Sequence, residues 1–582
     1  VQEWWYAFRR GDGHFPKARF PVAARRRPGT PGCGNARMHG SARQPSSTFP
    51  IGPTPRGKYL MPLQRPDIED VVELASTFHI HLTHTEARVF TDRMQQQVEK
   101  LEEFLELRAE EHHPPLRYLD RDPGYRPGEA EDPLNAFIRK CRVRGADEGP
   151  LSGRTIGLKD HIAVAGVPLT LGSHFMEGYV PDFDATIVTR LLDAGATIVG
   201  KMNMEDFSFG GPGVAGVGDF GRPLNPHNAG YVTGGSSSGC GAAVAAGLID
   251  IGMGGDQGGS IRIPAAWSGC VGLKATHGLI PHSGVFGLEP SVDYVGPMTR
   301  TVEDLAVVLQ CLAGPDGYDP RQGSVPAVLP DYVGALGEPI DRLKIGVLAE
   351  GFDFPGGEPD VDEMVRSALQ VIEGLGARLE AASVPLHRTA TLALGPLFLE
   401  GARSGYDTNF AGSFGTSFYP ASFMNYFGRS KRSQSHELPL NLKLILLAGS
   451  YAHERANGRL FAKAQNMRPP IAAQYREAFR KVDLLAMPTC PTKANPYETP
   501  ADYAEAIDRT LFGGKLGKDI SVLGANTSPF NYTGFPAVSI PCGKSDGLPV
   551  GLQLVAPHFR EDLLVRVAHA YQRAVDWESY YP

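Results

Sequence analysis

At 582 residues the chain is too long for one minimal core, and 42% hydrophobic with 21% charged residues is the balance of a soluble globular protein, not of a disordered or fibrous one. A formal net charge of -7 gives no overall attraction to nucleic acid or to an anionic membrane surface, so the expected partner is a small uncharged molecule. Seven cysteines, an odd number with no C-x-x-C pair, make no disulfide framework and point to the reducing cytoplasm.

In chain order, residues 1–60 hold eleven Lys/Arg against two acids, are dense in Pro and Gly, and lack both helical and strand periods. They are expected to be a disordered basic extension, either a solvated tail or a stretch upstream of a natural start at Met61. From Pro66 the spacing Ile68, Val71, Ala75, Phe78 predicts an amphipathic helix. Thr83 with Glu86 forms a capping box for a second, with Phe90, Met94, Val98, Leu101 and Leu105 at helical spacing. The resulting hairpin must bury its apolar stripes on the main body or on a second copy of the chain, and a homodimer is the expectation. His79, His81 and His84 have no cysteine or carboxylate constellation beside them and read as loop histidines, not metal ligands.

Residues 108–150, charged and Pro-rich, read as a linker. After it strands and helices alternate: strands at 155–158, 197–199 and 251–254, helices at 184–194 and 240–248, and near the C-terminus strands at 482–487, 536–540 and 548–555 with a closing helix at 561–574. This rhythm predicts an α/β fold with a mixed, largely parallel sheet covered by helices. The expected division is 1–60 as extension, 61–130 as helical segment and linker, and 131–582 as catalytic domain.

Two glycine-serine turns carry the chemistry: Thr233-Gly-Gly-Ser236-Ser237-Ser238-Gly-Cys-Gly and Gly254-Gly-Asp256-Gln257-Gly258-Gly259-Ser260-Ile-Arg262. Neither has the G-x-x-x-x-G-K-[ST] spacing of a phosphate loop, and the G-x-G-x-x-G of Gly211, Gly213 and Gly216 opens no amphipathic helix. That leaves a nucleophile. Amide N–H groups of Gln257, Gly258 and Gly259 fall where they can be aimed beside the Ser260 hydroxyl, as stabilisation of an oxyanion requires. Lys159, ending a buried strand in Gly157-Leu-Lys159-Asp160-His161, serves as base if burial holds it neutral, and Ser236 bridges the two. The same residues also read as Lys159 paired to Asp160 or Asp256, with Ser236 and Ser260 as helix caps. Residue types alone leave both readings open.

Taken together, GLKD at Lys159, GGSSSG, GGDQGGSIRIPAA and GLKATHG resemble the amidase signature family, over roughly residues 131 to 582. The resemblance implies Lys159 as general base, Ser236 as proton relay with a cis peptide bond before it, and Ser260 as the acylated nucleophile. It places the oxyanion hole at the backbone of Gln257, Gly258 and Gly259. Asp256 and Arg262 are inferred to be a structural pair bracing the turn. His161, Cys240 and Ala275 depart from the family's usual residues. The implied activity is hydrolysis of primary or aryl amides through an acyl-enzyme without metal or organic cofactor, most like bacterial amidases of broad acyl range. The alternatives are a carbamate or anilide hydrolase and a component of an amidotransferase. Residues 398–427 hold Phe398, Tyr406, Phe410, Phe414, Phe418, Tyr419, Phe423, Tyr426 and Phe427 without a clean period. They are either the lining of an adaptable substrate channel or an aromatic satellite core.

Overall fold

A computed structural model describes residues 63–107, 113–210, 219–410, 415, 418–512 and 520–582. The expectations for residues 1–60 and for Phe414 lie outside them. The chain divides into two compact units, with the boundary between Glu110 and Glu111.

The first unit is the expected helical hairpin. Helix α1 (Ile68–Thr77) starts at Asp67, whose carboxylate accepts from Asp70 N–H while the Asp70 side chain accepts from Asp67 N–H. Helix α2 (His84–Leu105) is capped the same way by Thr83 and Glu86. Each such cap is worth about 1 kcal/mol by satisfying amides that no helical carbonyl reaches. Val71, Ala75, Ala87 and Thr91 are buried, whereas Phe78, Phe90, Leu101 and Phe104 are exposed.

The second unit is built on one twelve-stranded sheet. Its strands are β1 (Arg121–Tyr125), β2 (Phe137–Arg144), β3 (Thr155–Lys159), β4 (Thr197–Met202), β5 (Ile251–Asp256), β6 (Val271–Lys274), β7 (Tyr294–Thr299), β8 (Lys344–Leu348), β9 (Arg378–Ala382), β10 (Leu484–Pro488), β11 (Ala537–Ser545) and β12 (Leu548–Val555). They lie in the order β1-β2-β4-β3-β5-β7-β6-β11-β12-β10-β8-β9. The sheet is mixed, as the alternating pattern indicates, but its parallel pairings form two blocks, β4-β3-β5 and β10-β8-β9, and the strands between pair antiparallel. Hairpin chemistry explains part of this. Asp546-Gly547 joins β11 to β12 with positive φ at both residues, which suits a two-residue turn between antiparallel strands.

The span expected to be a linker contributes both β1 and β2, paired antiparallel. Pro123 and Gly124 disguise β1, and both are tolerated because it is an edge strand whose register shifts between Asp122 and Tyr125.

Helices that matter for the site are α3 (Thr186–Asp193), α4 (Ser238–Ala245), α5 (Arg262–Ser268), α6 (Val302–Leu312), α7 (Pro359–Gly374), α8 (His387–Asp407), α9 (Ala421–Ser433), α10 (Leu440–Ala456), α11 (Arg459–Ala478), α12 (Ser528–Thr533) and α13 (Glu561–Ala574). Helix α13 packs on α6 and α7, each presenting a buried apolar face. Fully burying one such Leu or Val side chain stabilises the fold by roughly 1.5–3 kcal/mol. Helices α4 and α5, in contrast, are buried along their entire length. Their Gly, Ala and Ser residues let the backbone that carries the two glycine-serine turns sit inside the core. No helix among the described residues is long and apolar enough to cross a membrane.

Candidate active site

Strands β3 and β5 pair in parallel, Ile156 opposite Ile251 and Leu158 opposite Met253, so their C-terminal ends emerge side by side. Lys159 closes the first and Asp256 the second. The turn before α4 supplies Ser236 and the turn after β5 supplies Ser260, so residues separated by a hundred positions share one end of the sheet.

Lys159 and Ser236 are fully buried, and Lys159 Nζ donates to Ser236 Oγ at 2.7 Å. The Gly235-Ser236 peptide bond is cis, as the resemblance implied. The two turns are tied through their backbones: Ser237 N–H donates to the Ser260 carbonyl at 3.2 Å, and Ser237 Oγ donates to the Gly255 carbonyl at 3.0 Å. Ser236 is in turn anchored by Glu205 N–H, which donates to its carbonyl.

The rival pairings of Lys159 do not form. Asp160 is bound by Lys201, Nζ to Oδ1 2.7 Å, with both side chains fully buried. Asp256 is bound by Arg262. Ser236 and Ser260 cap neither neighbouring helix, whose N-cap residues are Ser237 and Ile261. Burial therefore acts on Lys159 without a contacting carboxylate, and it pushes the ammonium down to about 7 against the weaker raising pull of Cys240, Asp256, Glu205 and Asp293. Such a lysine is a competent base at neutral pH.

Asp256 organises the turn that carries Ser260. Its carboxylate accepts from Gly259 N–H at 2.7 Å, from Ile261 N–H at 3.1 Å, and from Arg262 Nε and Nη2 at 3.0 and 3.1 Å. Burial opposes the charge, but Arg262 and Asn531 outweigh it and hold the carboxyl at about 2. Arg262 also reaches Gln553 Oε1 at 2.8 Å and Asn531 Oδ1 at 2.6 Å, so each of the three guanidinium nitrogens donates a hydrogen bond.

One sequence expectation changes. With Gly259 N–H committed to Asp256, the expected trio of free amide donors loses that member. The amides of Gln257 and Gly258 donate to no acceptor among the described residues. The Gly258 carbonyl, pointing the other way, accepts from Thr527 Oγ1 at 2.6 Å and Ser528 Oγ at 3.0 Å. Gly259 has φ +137°, and a Cβ there would lie 2.3 Å from Thr527 Oγ1, which is why this position is glycine.

Thr527, Ser528, Asn531 and Gln553 are supports that sequence reasoning missed as site residues. Gln553 left a signal: it is the one side-chain amide in the wholly buried strand β12. His161, two residues after Lys159, is buried, its Nε2 has no partner among the described residues, and it is pressed on Gly255, where a Cβ would sit 2.3 Å from it. Burial, then the charge of Lys159, holds its ring neutral.

The aromatic segment divides in two. Phe423 and Phe427 are fully buried in a satellite core, Phe423 stacking on Phe286 with ring centroids 3.7 Å apart. Phe418 and Tyr419 line a cavity of about 360 Å³, and Phe410, buried in the same satellite core as Phe427, lines it too.

Residues 130–565 match the amidase family. Among curated proteins, an enantioselective amidase of Rhodococcus rhodochrous is 39% identical over 77% of this chain and 85% of its own length. The A subunit of the glutamyl-tRNA(Gln) amidotransferase of Synechococcus sp. (strain RCC307) is 38% identical over 74% of this chain and 85% of its own. Among solved structures, the peptide amidase of Stenotrophomonas maltophilia superposes with a TM-score of 0.62 at 27% identity, over 76% of this chain and 90% of that one. With the sheet, the two glycine-serine turns and these relatives in agreement, the chain belongs to the amidase family and is an amide-hydrolysing enzyme.

Proposed function

We propose that the chain hydrolyses primary or aryl carboxylic amides to carboxylate and ammonia or amine through a Lys159, Ser236 and Ser260 triad. Ser260 Oγ attacks the carbonyl carbon while its proton passes to Ser236 Oγ and the Ser236 proton to Lys159 Nζ. The tetrahedral oxyanion is stabilised by the Gln257 and Gly258 amides. Lys159 returns the proton to the departing nitrogen as the C–N bond breaks, and water, deprotonated along the same route, then releases the acyl group from Ser260.

The observation that carries this reading is the 2.7 Å hydrogen bond from a fully buried lysine, which pairs with no carboxylate among the described residues, to a serine in the turn next to Ser260. The Asp256–Arg262 pair supports it as the brace of the nucleophile turn. No step draws on a metal or organic cofactor. The free state of the six described cysteines is in keeping with a cytoplasmic enzyme, and the exposed Phe78, Phe90 and Phe104 of the N-terminal hairpin with a homodimer.

A second reading has support among the relatives, since the A subunits of tRNA-dependent amidotransferases match over three quarters of the chain. Such a protein would work on glutamine with partner chains. The test is product formation by mass spectrometry from benzamide, acetanilide and an aryl carbamate, with wild type beside Ser260→Ala. Turnover that vanishes in the variant supports the serine mechanism and ranks the leaving groups. Turnover that survives refutes the triad, and activity appearing only with glutamine and added partners favours the amidotransferase reading.

A further inference from the structure

Residues 256–260 do not line the 360 Å³ cavity, but two chain segments that do line it lead to that turn. On helix α8, Leu394, Phe398, Gly401, Gly405 and Thr408 follow one another at steps of three and four, so they share one helical face. That face starts against Gly258, where a Cβ would lie 3.4 Å from Leu394 Cδ2 and 3.6 Å from Phe398 Cζ. One to three turns later its Gly401, Gly405 and Thr408 line the cavity, and the two glycines let side chains close in, since a Cβ at Gly401 would lie 2.5 Å from Glu289 Cγ and one at Gly405 2.8 Å from Phe410 Cδ1. The opposite wall runs through Glu289 to Asp293. Asp293 directly precedes Tyr294, which pairs with Asp256 across β5 and β7. Both walls therefore lead away from the same four residues, 256–259.

The cavity combines two chemistries. Phe410, Phe418, Tyr419 and Phe461 give it aromatic surface. Glu289 and Asp293 are carboxyls nearly sealed from water, 7% and 4% exposed. Glu289 Oε2 accepts from Ser291 N–H at 3.1 Å and from its hydroxyl, and Asp293 Oδ1 accepts from Leu288 N–H at 2.9 Å. Neither forms an ion pair with Lys or Arg among the described residues, and the cavity's own Arg321 is held by Asp319 at 2.7 Å. Burial raises both carboxyls, Asp293 to about 7, and outweighs the pull of Arg321, which donates to the Asp293 carbonyl at 3.0 Å, and of Arg468, which donates to Ser291 Oγ at 2.7 Å. Aromatic faces beside such carboxyls complement a ring attached to a protonated amine.

We propose that this cavity is the subsite for the part of the substrate remote from the scissile carbonyl, and that it selects an aralkyl group bearing an amine. In that case Phe398 and Thr408 set the length and width of the group accepted, and Glu289 with Asp293 meets its N–H donors. The placement of the scissile carbonyl rests on Ser260 being the nucleophile, but binding in the cavity does not require turnover.

Calorimetric titration of the full-length Ser260→Ala protein with phenylalaninamide, 3-phenylpropanamide and propionamide tests this apart from catalysis. Phenylalaninamide is expected to bind at least tenfold tighter than propionamide. Thr408→Trp, which fills the cavity, should remove that advantage for both phenyl ligands. Glu289→Gln should remove at least threefold of the preference for phenylalaninamide over 3-phenylpropanamide. Equal affinities, undetectable binding of all three, or an advantage that survives both substitutions overturns the proposal. Residual turnover by Ser260→Ala would instead overturn the triad, so the two failures are distinguishable.

Discussion

Replacing Lys159 with Met separates the lysine's contribution to chemistry from its effect on stability, and the two are expected to move in opposite directions. In water a lysine has a pKa near 10.4, so roughly one in two thousand is neutral at pH 7, whereas burial brings Lys159 down to about 7 and leaves about half neutral. The folded chain thus binds fewer protons than the unfolded chain between about pH 7 and 10.4. Stability of the wild type must then fall as the pH is lowered across that window, and the full penalty is present below pH 7. At pH 7 the penalty amounts to about 4 kcal/mol, and across the window it changes by about 1.4 kcal/mol per pH unit. Lys159→Met carries no such term. Urea denaturation of both proteins at intervals from pH 6 to 10 should show the variant's advantage shrinking as pH rises, the slope being the readout because Met packing adds a constant offset. Activity should move the other way: kcat/KM of the variant falls by 10²–10⁴ for want of a general base, and the wild type shows an acid limb with a midpoint near pH 7. A stability difference flat in pH would refute the argument from burial. A variant within tenfold of wild type would refute the assignment of the base.

The supports of the site make separate demands. Asp256→Asn leaves the buried Arg262 without its carboxylate and should cost about 3–5 kcal/mol in urea denaturation, with loss of turnover because the single amide oxygen cannot serve both Gly259 and Ile261 N–H. An intact fold with wild-type kinetics would show the pair to be dispensable. Gly259→Ala places a methyl 2.3 Å from Thr527 Oγ1 at φ +137°, so kcat should fall more than tenfold, and pairing it with Thr527→Ser should not restore it since the hydroxyl remains. Gly255→Ala should lower the midpoint of thermal unfolding by several degrees through its clash with His161, and His161→Ala should recover part of that loss. Additive effects of the two changes would argue against the contact.

What the sequence made legible is what is local along the chain. Lys159, Ser236 and Ser260 stand in short glycine-serine motifs whose backbone requirements are written into adjacent residues, and each lies on the element expected of it. Helix α2 is readable for the same reason, since Thr83 and Glu86 are three positions apart. The partners of Arg262 were not, because Asn531 and Gln553 are 269 and 291 positions away and become its neighbours only when β12 and α12 join the sheet end. Periodicity also failed where burial is two-sided. Strands β6 and β7 are buried at every position and present no alternation to detect, a property they share with β5, β10 and β12, which were nonetheless legible as apolar runs, and β1 is masked by its Pro-Gly pair. The aromatic segment eluded a single description because it serves two purposes, one set of rings closing a satellite core and another facing the cavity.

These misses share a cause that is itself informative. Gln553 lies fully buried in a strand of apolar residues, where an unbonded amide would cost about 1–3 kcal/mol, so its presence demands a partner of matching chemistry somewhere in the fold. That partner is Arg262, and through it Asp256 and the amides of the nucleophile turn. A lone amide inside an otherwise apolar strand thus marks the far end of a hydrogen-bond chain whose near end holds Ser260. Gln553→Leu tests the chain from that end. It keeps the volume, leaves Arg262 Nη1 without its acceptor, and should lower kcat at nearly unchanged KM. Loss of stability with kinetics intact would show Gln553 to be a packing residue alone.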